Sequence, residues 1–134
     1  MSWDVIIMRM PENIRTTADL QALTEPIPDI PLGTVAQVRE HVVAVFPETE
    51  WTEHPLGIWN GTPGSIEFRL GTGRGDQATS MLMLSIRADD SIVPTVVALA
   101  ARLGATAVET GSGGLLTDAS GIRRWREMRE QELG

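Results

Sequence analysis

The chain has 134 residues, no cysteine and a formal net charge of −7. That length suits one domain with a core of ordinary size, and the missing cysteines exclude disulfides, thiolate metal sites and cysteine nucleophiles. The acidic balance disfavours phosphate backbones and anionic membranes, and the 11 basic residues, all Arg, are scattered rather than clustered as nucleic acid requires.

Trp3–Met10 has apolar side chains on both faces of an extended chain, which predicts an interior strand covered on both sides and ended by Pro11. Residues 11–33 form a long connection carrying Pro11, Pro26, Pro28 and Pro31; its stretch Glu25–Gly33 is expected to be extended and non-helical, with Ile27, Ile30 and Leu32 laid along the body. Thr34 and Gln37 form a capping-box pattern. They open a helix to about Phe46 whose apolar stripe is Val35, Val38, Val42, Val45 and Phe46, with Gln37, Glu40 and Ala44 outside.

Glu48–Gly61 is expected to be a loop with a short strand near Leu56–Trp59. Ser65–Leu70 alternates strictly, with Ile66, Phe68 and Leu70 on a dry face and Ser65, Glu67 and Arg69 on a wet one. A glycine-rich turn at 71–76 joins it to a second strand at Ser80–Arg87, a hairpin. Asp90 or Ser91 is the expected cap of a largely buried helix, Ile92–Leu103, with Pro94 in its first turn and Gly104 past its end. A strand at Ala105–Thr110, a turn at 111–114, a short return at Leu115–Leu116 and a last helix complete the chain.

The predicted fold class is α+β: an antiparallel sheet of about four to six strands with helices packed mainly on one face. The order is β-α-β-β-β-α-β plus a C-terminal helix. Residues 1–134 form a single domain in this reading, with 118–134 as a C-terminal helical extension. No apolar run approaches the roughly 20 residues that span a bilayer. The N-terminus puts an acid before its first Arg, unlike a secretory leader, so a cytoplasmic protein is expected.

Several segments together resemble a family of small bacterial proteins to which no activity is attached. They are the opening Met1-Ser2-Trp3-Asp4-Val5, Pro31-Leu32-Gly33 before the first helix and Val45-Phe46-Pro47 after it. Gly64-Ser65-Ile66-Glu67-Phe68 and the Leu103-Gly104 step belong with them. The resemblance covers most of residues 1–118, leaves 119–134 outside, and brings no catalytic residue with it. In size and charge the chain is also similar to immunity proteins that block a toxin, a likeness of type rather than of motif.

No motif spells out a reaction. The glycine-rich turn is followed by a strand, not by the helix whose N-terminus a phosphate loop needs, so it reads as a hairpin tip. Arg74-Gly75-Asp76 matches an adhesion tripeptide only by spelling. His54 could pair with Glu48, Glu50 or Glu53 around a metal, but Pro47 and Pro55 restrict helical spacing there, and no metal site is assigned. His41 reads as a partly solvated helix residue. Ser112 sits in a turn without the rigid mount of a catalytic serine.

Two surfaces stand out. Trp51 and Trp59 flank Glu53 and His54, and tryptophans on a loop can anchor a partner or stack a ligand; the plainer reading is that each plugs an edge of the core. The tail places Ile122, Trp125 and Met128 at helical spacing. Its Arg123, Arg124 and Arg126 come early and Glu127, Glu130 and Glu132 late, an order that opposes the helix dipole. Ile122, Arg123, Trp125 and Arg126 are therefore candidate interface residues, toward the acidic body or toward a second copy in a homodimer.

The leading expectation is a binding or interaction module for a basic protein partner, an immunity-type inhibitor being the sharpest version. It implies no cofactor, no nucleic acid and no membrane, and a catalytic role is the less favoured reading. The alternatives are a small enzyme or ligand-binding protein with its site near Trp51–Trp59, and a self-associating structural subunit.

Overall fold

The computed structural model describes residues 3–52, 56–70, 76–110, 114–116 and 127. In chain order the elements are β1 (Trp3–Met8), α1 (Thr17–Gln21), β2 (Gly33–Thr34), α2 (Val35–Val45), β3 (Glu50–Trp51) and β4 (Leu56–Gly61). They continue as β5 (Gly64–Leu70), β6 (Ala78–Thr79), β7 (Met81–Ala88), α3 (Val93–Arg102) and β8 (Thr106–Glu109). Six strands form one antiparallel sheet in the order β3-β4-β5-β7-β1-β8, and β2 pairs with β6 beside it. The fold is α+β.

Alternation fixes which face is dry. Trp3, Val5 and Ile7 of β1 stand opposite Ile86, Leu84 and Leu82 of β7, which in turn stand opposite Ile66, Phe68 and Leu70 of β5. All nine are buried. A one-residue slip would turn this whole set toward water, so burial of one face specifies the register. On this inner face α2 lays Val35, Val38 and Val42, and α3 lays Val93, Val96, Leu99 and Ala100. Each buried valine or leucine contributes about 1.5–3 kcal/mol relative to exposure, enough to fix helices of these lengths against the sheet.

The cap of α2 forms as the sequence indicates: Thr34 Oγ1 accepts from Gln37 N–H (3.2 Å), and Gln37 Oε1 accepts from Thr34 N–H (2.9 Å). The start of α3 differs from expectation. Neither Asp90 nor Ser91 caps it; a 3₁₀ turn at Asp90–Ile92 leads in, Ile92 is the N-cap without a side-chain bond, and Asp89 Oδ1 takes the Ser91 N–H (3.0 Å). Pro94 falls in the first turn, where no intrahelical donor is lost.

Residues 25–33 carry no helix, as expected, while ahead of them α1 forms on a reciprocal Thr16–Asp19 cap, an element outside the expected order. One further expectation is corrected: β1 has no long helix on its outer side among the described residues, because both long helices lie on the inner face. Ile6 and Met8 are half-buried on the other side. Arg9, just after β1, ties the proline-rich connection down by donating to the carbonyls of Pro31 (2.8 Å), Leu103 (3.2 Å) and Leu32 (3.4 Å). At the far edge Leu115 bridges Val108 of β8, and its N–H donates to Thr17 Oγ1 (3.0 Å). The glycine-rich turn at 71–75, Ser112 and nearly all of the C-terminal extension lie outside the described residues.

Candidate functional site

The end of the sheet where α2 hands over to β3 is built by one tight turn. Phe46 is buried, its carbonyl accepts from Thr49 Oγ1–H (2.7 Å), and Glu48 sits at φ +73° between them. A side chain in the left-handed region costs about 1–2 kcal/mol. Here it swings the chain off the helix end and brings Glu50 and Trp51 into register with Ile58 and Gly57. Glu48, two residues before the pair at Glu50, turns out of the ladder.

Trp51 faces inward. Its ring packs near Phe68 (centroids 6.3 Å apart), and the Arg39 guanidinium of α2 sits 4.9 Å from the ring centroid on the solvent side. A cation over an indole face at a partly exposed site is worth about 0.5–1 kcal/mol. The Trp51 Nε1–H is buried and has no hydrogen-bond partner among the described residues. Trp59, on the same sheet face, meets Phe46 edge-on, with centroids 5.1 Å apart and planes at 69°. Both rings are partly buried against the core.

Two recesses open on either side of this turn. One, about 410 Å³, runs between α2 and Trp51 and is lined by Ala36, Arg39, Glu40, Val43 and Trp51. The other, about 540 Å³, is lined by Glu48, Thr49, Glu50, Ile58 and Asn60. Glu40 and Val43 thus line the recess on the α2 side of the sheet, and Glu48, Glu50 and Ile58 the one on its outer side; Val43 and Ile58 are each 41% exposed. Among the described residues no cation pairs with these three carboxylates. Such an arrangement can attract and orient positive charge over an apolar floor. Among the described residues no group of three His, Asp or Glu side chains converges as a metal would need.

Of the residues singled out in the sequence, Trp51 and Trp59 share a face and lie in neighbouring strands, each braced by a phenylalanine. Glu53 and His54 lie outside the described residues, as do Ile122, Arg123, Trp125 and Arg126. Arg39 and Val43 carried no sequence signal: they lie on the α2 flank that the apolar stripe leaves outside, and only the approach of Trp51 gives them a role. His41, half-buried on the same helix, accepts from Arg102 Nε–H (3.0 Å) and links α2 to α3. No helix among the described residues is long and apolar enough to cross a membrane.

No protein-family model, no curated protein and no solved structure matches the chain.

Proposed function

We propose that the chain is a protein-binding module that takes a basic partner at the α2–β3 end of the sheet. The observation that carries this reading is the set of Glu40, Glu48 and Glu50 around two recesses floored by Trp51, Val43 and Ile58. Desolvated aromatic and aliphatic groups supply affinity, while the carboxylates and a net charge of −7 speed encounter with a positive surface. An immunity-type inhibitor of a basic toxin is the sharper form of the same proposal, in keeping with the chain's small size and net charge of −7.

The test is capture of the products of adjacent genes at low salt by the full chain, with Glu48→Lys/Glu50→Lys compared against the unaltered protein. A basic partner should bind the unaltered chain, bind more weakly as salt rises, and be lost from the double variant at unchanged melting temperature. Equal capture by both proteins, or capture of no basic product, overturns the proposal.

A further inference from the structure

We propose that residues 117–134 cover the outer face of the sheet within the same chain. That face is apolar along its middle row: Leu56, Met83, Ile6 and Val108 lie side by side across β4, β7, β1 and β8, with Arg69 of β5 interposed. Met83 is 45% exposed at the centre of a six-stranded sheet. Both long helices pack on the opposite side; at the β8 end Leu115 is buried and its N–H bonds Thr17, whereas Met83 at the centre stays exposed.

Three observations favour the tail as that layer. First, the described chain reaches Leu116 right beside β8, where Leu115 pairs with Val108 of the outer face. Second, the length fits. Twelve residues wound as a helix span ~18 Å, and the three strand spacings from β8 to β5 amount to ~14 Å. Third, the charges match in order. A segment leaving β8 passes β1 first, where Asp4 is exposed, and reaches β7 later, where Arg87 is exposed; on β5 Arg69 is already paired with Glu67 of the same face (3.2 Å). The tail carries Arg123, Arg124 and Arg126 early and Glu130 and Glu132 late. That sequence of charges is the poor one for an isolated helix and the favourable one for this crossing. Ile122, Trp125 and Met128 supply apolar groups for the row beneath.

The cysteine-free chain allows a direct test by thiol labelling. Met83 and Val43 have nearly equal exposure, 45% and 41%, on opposite sides of the molecule. Met83→Cys and Val43→Cys are placed singly in the full chain and alkylated with iodoacetamide, each rate corrected for its own thiol titration. With the tail in place Met83→Cys should react about ten-fold more slowly than Val43→Cys, since modification tracks access. Adding Ile122→Ala/Trp125→Ala should bring the two rates together without changing that of Val43→Cys. Equal rates in the unaltered-tail background overturn the proposal. So does protection that grows with protein concentration alongside a doubled mass in solution, because a second copy would then be the cover. If the alanine pair instead loosens the whole fold, both rates rise, and the comparison in the unaltered-tail background decides alone.

Discussion

The Trp51 ring rests on the bare backbone of Gly57: across the β3–β4 pair, a Cβ at position 57 would stand 2.8 Å from Trp51 Cε3. Trp59 does the same within its own strand, where a Cβ at Gly61 would lie 2.5 Å from the indole. Each large ring thus covers a glycine that has no side chain to shield its peptide groups from water. This pairing, rather than the tryptophans by themselves, shapes the floor of the proposed binding end.

Gly57→Ala should therefore act through Trp51. The added methyl forces the ring outward and weakens both its contact with Phe68 and the Arg39 stack. A cost of about 1–3 kcal/mol is expected, as for other overpacked sites. Urea unfolding reads the loss, and a red-shifted tryptophan emission reads the displaced ring. In the background of Trp51→Ala the same substitution should cost markedly less, because the clash is gone. An unchanged midpoint and spectrum for the single variant would show that the ring does not depend on the gap.

Gly64 presents a harder limit. It begins β5 at φ +143°, and a Cβ there would meet the Arg87 carbonyl oxygen at 2.2 Å and Ala88 Cα at 2.6 Å, both backbone atoms of β7. Neither can move without opening the central pairing of the sheet. Gly64→Ala should cost about 3 kcal/mol or more, combining backbone strain with overpacking, and should be the more damaging of the two glycine substitutions. Thermal melts of the variants side by side give the ranking; parity between them would contradict it.

How much of this was legible in the sequence depends on the range of the contacts. Ser65–Leu70 and the Thr34–Gln37 cap are local patterns, and both appear where they were read. The two-residue strands β2, β3 and β6 are too short to carry a period. They exist because distant segments meet, as Gly33 meets Thr79. The helix α1 has a cap signal in Thr16 and Asp19, but an aspartate at the third position stands outside the usual glutamate or glutamine pattern, and none of its five residues is buried. The inward aim of Trp59 was encoded in the alternation Gly57, Trp59, Gly61 against Leu56, Ile58, Asn60. Two glycines in that set obscured it as a dry face. The contribution of Arg39 to the site depends on where Trp51 lands, which no local pattern reveals.

Arg9 satisfies three carbonyls from two distant segments, and its role rests on the fork of the guanidinium. A lysine at this position places one ammonium and cannot span Leu103 and Pro31 together. Arg9→Lys and Arg9→Met should both destabilise by about 1–2 kcal/mol, the lower part of the scale for charge-assisted bonds, since these are part-buried or exposed. Both should also speed proteolysis within residues 23–31, which the clamp holds to the body. Limited proteolysis with mass mapping distinguishes this from a general loss of stability. Cleavage spread evenly over the chain, or full rescue by lysine, would argue against the clamp.

Asp19 supplies the acid-sensitive point of α1. Its carboxylate accepts from the Arg15 N–H (3.0 Å) and the Thr16 N–H (3.1 Å), while its own N–H donates to Thr16 Oγ1 (3.1 Å). The Arg15 backbone bond is the main cause that holds the Asp19 pKa below the ordinary aspartate value; desolvation opposes it, and the Thr16 bonds and the Arg15 charge add to the lowering. A depressed folded-state value means that the carboxylate stabilises the cap above the unfolded aspartate pKa, and that this is lost as pH falls through the folded one. The cap should thus be intact at neutral pH and release below about pH 4. Amide chemical shifts of Arg15 and Thr16 should titrate together in that range and lie still in Asp19→Asn, whose side chain cannot ionise. The exposed position confines the effect to residues 15–21, so amide exchange in β1 and β7 should not follow it. A titration shared by those central strands would mean that a different carboxylate governs the acid limb.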